Sequence, residues 1–463
     1  MVEGLPEFDR RMSDAERLMW RLDRDPHLTS TFANISILDR PMDVDRFLRR
    51  VSLATTMVPR LRQRVQEAPG GLIAPTWVDD PHFCVADHVR RIALPRPGST
   101  AQLTALAALI AADPFDRTRP LWQFWIVEGL KGGRSALIQK LHHTVADGEG
   151  SVALAMAYLD LEREAPEPEM PDMPPGTAET GTDGDYAGRD IVRDLVTGSL
   201  RLPLGLLRQI RELVTDPTQL PEVSATLADT VRGVMSQLSE VDRARSPLWV
   251  NRSTRRHLEV LRAPFSETKA AARRLGGTLN TAFMTLAADA AADYHERMGQ
   301  PVESLRASMA VSTRTEGSGA NAFGLVRLLV PTGAMPIAER FAAIDEAAFA
   351  ARAGTRSESL DAIATIATSL PATVVNRLAR VQAQTVDFAT SNVRGAPVPV
   401  YVAGAQLLEN YPIGPLVGVA FNLTLLSYHG SLDMGLHVDP AAVGDPAMLR
   451  RCLERAVKRL LAA

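Results

Sequence analysis

The run Arg134-Ser135-Ala136-Leu137-Ile138-Gln139-Lys140-Leu141 is mostly apolar and stops at His142-His143-Thr144-Val145-Ala146-Asp147-Gly148. Its length and apolar content predict a buried strand, and Glu149 to Leu161 carry the apolar spacing of a helix. Gly148 marks a turn between them, so the histidine pair sits on a loop at a strand's C-terminal end. A His with an acid four residues on could hold a metal from one helix face, but the preceding strand and the glycine argue against a helix there. No metal ligand is assigned, and the stretch reads as an active-site loop.

Trp122 to Val127 predicts a second strand, joined to the first by Glu128-Gly129-Leu130-Lys131-Gly132-Gly133, whose glycines allow a reversal. The resulting hairpin delivers His142 and His143. Trp122 and Trp125 could form a stacking platform for a ligand, but their apolar run favours core packing. Elsewhere strands and helices alternate, which implies α/β architecture. Helices are expected from Asp14 to about Asp23 behind a Ser13/Glu16 capping box, from Asp43 to Met57 and from Ala101 to Ala112. A strand is expected over Thr31 to Leu38. In the second half, strands are expected at Arg256 to Leu261, Leu305 to Val311, Phe323 to Val330, Val386 to Thr390, Val400 to Leu407, Gly418 to Ser427 and Ser431 to Val438. Helices are expected at Ser266 to Leu275, Asn280 to Met298, Ile337 to Ala351 and Leu360 to Gln384.

At 463 residues the chain exceeds what one core usually supports, about 250 to 300 residues, so two lobes are expected. We expect an N-terminal lobe over 1–161, an acidic Pro/Gly-rich linker over 162–188, a helical connector over 189–245 and a C-terminal lobe over 246–463. The linker's composition does not favour a packed core. Within the connector, Leu200 to Arg211 interleaves leucines with arginines and either lies on a membrane interface or packs on its own protein.

A net charge of −3 provides no global attraction to nucleic acid, which is excluded as a partner. The two cysteines, Cys84 and Cys452, are too few for a disulfide framework and are expected to be reduced and buried. The N-terminus has acids and no apolar core, and no stretch reaches the roughly 18 apolar residues of a membrane span. A cytoplasmic location is expected, with peripheral contact to a membrane or lipid-droplet surface left open.

The HHxxxDG pattern at His142–Gly148 resembles that of the CoA-dependent acyltransferase superfamily. Phe115-Asp116-Arg117-Thr118-Arg119-Pro120-Leu121-Trp122, then Val127-Glu128-Gly129-Leu130, then Ala136 to Lys140, resemble the bacterial wax ester synthase/diacylglycerol acyltransferase family. So do Thr278-Leu279-Asn280, Ser391-Asn392-Val393 and the stretch from Asn422 through Ser427-Tyr428 and Gly430. The chain departs from that family at Thr281 for an acid, Arg394 for a proline and His429 for an asparagine. The resemblance implies a two-lobed chloramphenicol acetyltransferase-like α/β fold, with mixed sheets flanked by helices.

It also implies acyl-CoA as donor and diacylglycerol or a long-chain alcohol as acceptor, yielding triacylglycerol or wax ester, with no cofactor. In that reading His143 is the general base, a task suited to an imidazole whose ordinary pKa is about 6.5. His142 packs behind it, and Asp147 holds the loop by turning to an arginine. Gly148, lacking a Cβ, admits the thioester. Pro120, Leu121 and Trp122 form a structural motif. Negative charge on the tetrahedral oxygen falls to Asn280 at a helix N-terminus or to Asn392, and helix capping alone is the other reading of Asn280. Two rival functions stay open: an acyltransferase fed by a carrier protein, and a lipid-binding relative without turnover. The chain has neither GxSxG nor a P-loop.

Overall fold

The computed structural model describes residues 8–67, 74–167, 244–312, 323–354 and 372–463. In it the run ahead of the histidine pair is a strand, Arg134–His142, covered on both faces. Ala136 and Ile138 enter one apolar cluster, Leu137 and Leu141 the other. A strand buried on both sides needs no polar alternation, which is why this one reads as a continuous apolar run.

In chain order the described strands begin with β1 (Thr31–Leu38), β2 (Gln63–Gln66), β3 (Thr76–Asp79), β4 (Val89–Ala93), β5 (Trp122–Leu130), β6 (Arg134–His142) and β7 (His257–Pro264). They continue with β8 (Ser304–Ser312), β9 (Phe323–Pro331), β10 (Phe388–Arg394), β11 (Tyr401–Val402), β12 (Ala405–Ile413), β13 (Phe421–Tyr428) and β14 (Ser431–Val438). One six-stranded sheet has the order β11-β12-β1-β6-β5-β4 and the other β7-β14-β13-β10-β8-β9, with β2 and β3 as a separate ribbon. Both large sheets are mixed. β4 runs parallel to β5, and β10 runs parallel to both β8 and β13. The expected β5–β6 hairpin is present, pairing Trp122 with Leu141.

Helix starts follow local chemistry. Ser13 and Glu16 form the expected capping box before Asp14–Leu22, and Ser99 with Gln102 forms another before Thr100–Ala112. Thr100–Ala112 lays Leu103, Ala107 and Ile110 on the first sheet. Leu279–Arg297 and Pro446–Ala462 supply much of the core of the second.

Several expectations change. The helix after the histidine loop is Gly148–Ala155, shorter than the apolar spacing through Leu161 suggested. The run Val400–Leu407 is no single strand: Ala403 and Gly404 both take positive φ, 44° and 85°, and reverse the chain between β11 and β12. Two successive positive-φ residues suit a tight hairpin, and Ala-Gly lacks the usual Asn-Gly or Asp-Gly signature. The C-terminal helix Pro446–Ala462 was not anticipated, and Cys84 is exposed whereas Cys452 is buried. Residues 168–243, which include most of the expected linker, the connector and Leu200 to Arg211, lie outside the described residues. The helix expected from Leu360 is described only as Ala372–Ala383.

A division of the chain at residue 246 does not coincide with the sheets, because β12 returns from the C-terminal half to pair with β1. Both sheets fall in one compact unit. β12 also passes close to β14, where a Cβ built on Gly435 would lie 1.9 Å from the Pro412 carbonyl oxygen. Only glycine admits that approach.

Candidate active site

His142 is the last residue of β6 and its side chain is buried, at 1% exposure. Its Nδ1 lies 2.8 Å from Thr144 Oγ1 and accepts the Thr144 backbone N–H at 3.2 Å. Trp20 and Phe115 meet the ring edge-on, each with a centroid separation of 6.4 Å. Nε2 points at Asp23 Oδ1, 3.3 Å away, an ion-pair distance without the alignment of a good hydrogen bond.

His143 has different neighbours. Its backbone N–H donates to Ser30 O at 3.1 Å, the residue is partly exposed with its Nδ1 buried, and Phe32 packs on the ring at 4.7 Å. Burial pushes its imidazole down to about 4, with His142 adding to the shift and Asp147 opposing it. The ring is therefore neutral through the ordinary working range of pH and able to accept a proton.

Asp147 is the N-cap of Gly148–Ala155, its Oδ1 accepting the Gly150 N–H at 2.7 Å, and Gly148 opens that helix. Asn serves as well as Asp at an N-cap, whereas Ala leaves a backbone donor unsatisfied. Asp147→Ala is therefore expected to lower stability by at least about 1 kcal/mol in urea denaturation, while Asp147→Asn keeps the acceptor for the Gly150 N–H and tests the expected arginine pairing separately. A loss of about 3 to 5 kcal/mol in the Asn variant would mark an ionic partner.

Pro120, Leu121 and Trp122 are all buried. Leu121 O accepts the His142 N–H at 3.1 Å, and Trp122 Nε1 donates to Leu61 O at 2.7 Å. The motif thus holds the end of β6 from the neighbouring strand. Trp125 is half-buried, with the Arg90 guanidinium over its ring.

Asn280 and Asn392, 112 residues apart in the chain, meet: Asn392 Nδ2 donates to Asn280 Oδ1. Asn280 is not the cap of its helix. That role belongs to Thr278, whose side chain accepts from Thr281 N. Asn392 lies on β10, against which the helix Gly148–Ala155 packs, so the histidine segment and the SNV segment share one region.

Each departure from the family pattern has a structural setting. Thr281 is buried and donates its hydroxyl to Asp345 Oδ1, so the acid absent at 281 is replaced nearby by a carboxylate from the helix Ile337–Gly354. Thr281→Asp would set two carboxylates together and remove the donor to Asp345. We expect it to destabilise by about 1 to 3 kcal/mol without raising activity, measured by thermal melting and acyl transfer. His429 takes φ 39° in the turn between β13 and β14, a conformation that Asn and His both tolerate better than most residues. Arg394 is an exposed residue at the end of β10.

Asp23, Ser30 and Thr144 were missed in the sequence. Asp23 and Ser30 lie more than a hundred residues before the pair, in a charged stretch with no motif, and only the tertiary structure brings them there. Among the described residues no group of three His, Cys, Asp or Glu is arranged to hold a metal ion, and no helix is long and apolar enough to cross a membrane.

The chain matches the model of the wax ester synthase/diacylglycerol acyltransferase catalytic domain over residues 12–283 and that of the family's C-terminal domain over residues 319–461. A protein of Mycobacterium tuberculosis H37Rv named as a diacylglycerol O-acyltransferase is 31% identical over 480 residues, covering 98% of this chain and 97% of that one. The solved wax ester synthase/diacylglycerol acyltransferase of Marinobacter aquaeolei VT8 superposes with a TM-score of 0.66 at 21% identity, covering 97% of this chain and 98% of that one. The first condensation domain of the calcium-dependent antibiotic synthetase shares the fold, with a TM-score of 0.56 at 17% identity and coverage of 99% and 96%. The fold is thus the expected chloramphenicol acetyltransferase-like α/β fold with mixed sheets and helices, and by its match across both domains the chain belongs to the wax ester synthase/diacylglycerol acyltransferase family.

Proposed function

We propose that this acyltransferase moves a long-chain acyl group from acyl-CoA to diacylglycerol or a long-chain alcohol, with His143 as general base. The observation that carries the reading is the setting of His143: a partly exposed residue next to a buried histidine, with its Nδ1 buried and its imidazole kept neutral by desolvation. In the proposed step the imidazole takes the acceptor's hydroxyl proton as that oxygen attacks the thioester carbonyl carbon. The tetrahedral intermediate collapses by breaking the C–S bond, and the departing CoA thiolate recovers the proton from the imidazolium. The ester and free CoA are the products, and no cofactor or enzyme nucleophile takes part.

Asn280 and Asn392 are proposed to stabilise the oxyanion, a role in which one donor is typically worth about 10² to 10³ in rate. Their mutual hydrogen bond supports a shared role, since each orients the other's amide. Because the acceptor is a lipid, the reaction is proposed to run at a membrane or lipid-droplet surface.

The test is incubation of the purified full chain with diolein or hexadecanol as acceptor and, in separate arms, radiolabelled palmitoyl-CoA or radiolabelled palmitoyl carrier protein as donor. Labelled triacylglycerol or wax ester is the expected product. Transfer only in the carrier-protein arm would favour condensation-type chemistry, a reading kept because the fold is shared with condensation domains. Binding of palmitoyl-CoA with no product in any arm would identify a relative without turnover.

A further inference from the structure

We infer that Asp23 is a positioning residue for acyl transfer, holding His142 in one tautomer and, through Ser30, holding the backbone of His143. The inference rests on His143 being the base.

His142 Nδ1 receives the backbone N–H of Thr144 at 3.2 Å, so that nitrogen must offer a lone pair. A neutral ring then carries its proton on Nε2. Nε2 is buried and needs an acceptor, since a buried polar group without one is costly. Among the described residues the carboxylate placed to serve is that of Asp23, at 3.3 Å. The contact is longer than an ideal hydrogen bond, but the charge is of the sign that favours a proton on Nε2. Moving the proton to Nδ1 would set two donors face to face at Thr144, and the loop from Thr144 to Asp147 would have to shift.

The same carboxylate reaches His143 by a second route. Asp23 Oδ1 accepts from Thr29 Oγ1 at 2.8 Å and from Ser30 N at 3.2 Å, and Ser30 O accepts the His143 N–H at 3.1 Å. One side chain thus ties both histidines to the end of the helix Asp14–Leu22, for which Asp23 is the C-cap. Arg117 Nη1, 3.9 Å from Asp23 Oδ2 and stacked on Trp20, sets the far side of the carboxylate. Burial works against ionisation of Asp23, but the adjacent His142, Thr29 and Ser30 outweigh it and bring its carboxyl down to about 2. Asp23 is therefore an anion wherever the enzyme would work.

The test combines nitrogen-15 NMR of histidine-labelled full-length protein with acyl-transfer kinetics on wild type, Asp23→Asn and Thr29→Val. In wild type, His142 should show a protonated Nε2 and an unprotonated Nδ1. Asp23→Asn can present either an oxygen or an NH₂ to Nε2, so the tautomers should mix. Its kcat should fall about 10²-fold at unchanged KM for palmitoyl-CoA, the scale of a small misplacement of a reacting group. Thr29→Val keeps the carboxylate and should retain both the tautomer and most of kcat. A wild-type His142 protonated on Nδ1 overturns the inference even if Asp23→Asn fails to fold, and so does a folded Asp23→Asn with a kcat within about twofold of wild type. If wild type transfers no acyl group, the reading of the reaction fails, while the tautomer measurement still decides whether Asp23 orders His142.

Discussion

His143→Ala should lower acyl transfer by about 10² to 10⁴, the usual contribution of a positioned general base, while the protein stays folded. The residue is partly exposed and Phe32 packs on its ring, so its removal should cost less core packing than removal of the fully buried His142. His142→Ala should behave in the opposite sense, losing more stability and less turnover, because that ring is enclosed by Trp20, Phe115 and Thr144. The pH profile separates a base from a merely buried histidine. With its imidazole at about 4, His143 should keep the wild-type rate level from neutrality down to about pH 5 and lose half of it near 4. A fall centred on the ordinary histidine value of about 6.5 would contradict the burial argument.

Stability follows from the same shift. Below about pH 6.5 the unfolded chain takes up a proton at this residue that the native protein refuses until about pH 4. The native state therefore loses stability as pH falls through that window. His143→Ala should remove this part of the acid sensitivity, seen as a flatter urea midpoint between pH 6.5 and 4. Substantial transfer by a folded His143→Ala protein would sink the mechanism.

Trp122→Ala is expected to be the most damaging change to the site's framework, at about 3 to 5 kcal/mol. Trp122 has no exposed surface, stacks on His88 at 4.5 Å and meets Phe124 at 4.9 Å. Deleting its indole leaves a cavity and strips Leu61 O of its donor. Trp122→Phe keeps most of the volume and should cost mainly the lost hydrogen bond, about 1 to 3 kcal/mol. Activity should fall with stability, because the neighbouring Leu121 carbonyl holds the His142 backbone. Urea midpoints for the two variants check the order, and a Trp122→Ala loss no larger than that of Trp122→Phe would show that packing is not the source.

Local chemistry made much of the chain legible. The apolar run Arg134 to Leu141 announced a doubly covered strand, and Ser13/Glu16 announced a helix start, because pattern and capping act between residues close in sequence. The Ala403-Gly404 reversal was not legible, since positive φ at an alanine is imposed by the strands on either side rather than favoured by the residue itself.

The candidate site divides in the same way. The sequence alone placed His142, His143, Asp147 and Gly148 on one strand-to-helix loop, because their spacing is local. Three things were decided by tertiary structure: that Asn280 and Asn392 meet, that Asp345 answers Thr281, and that Asp23 faces His142. Each joins segments distant in the chain. Such contacts arise only when sheets and helices bury their apolar faces together, and no local pattern of residues encodes them.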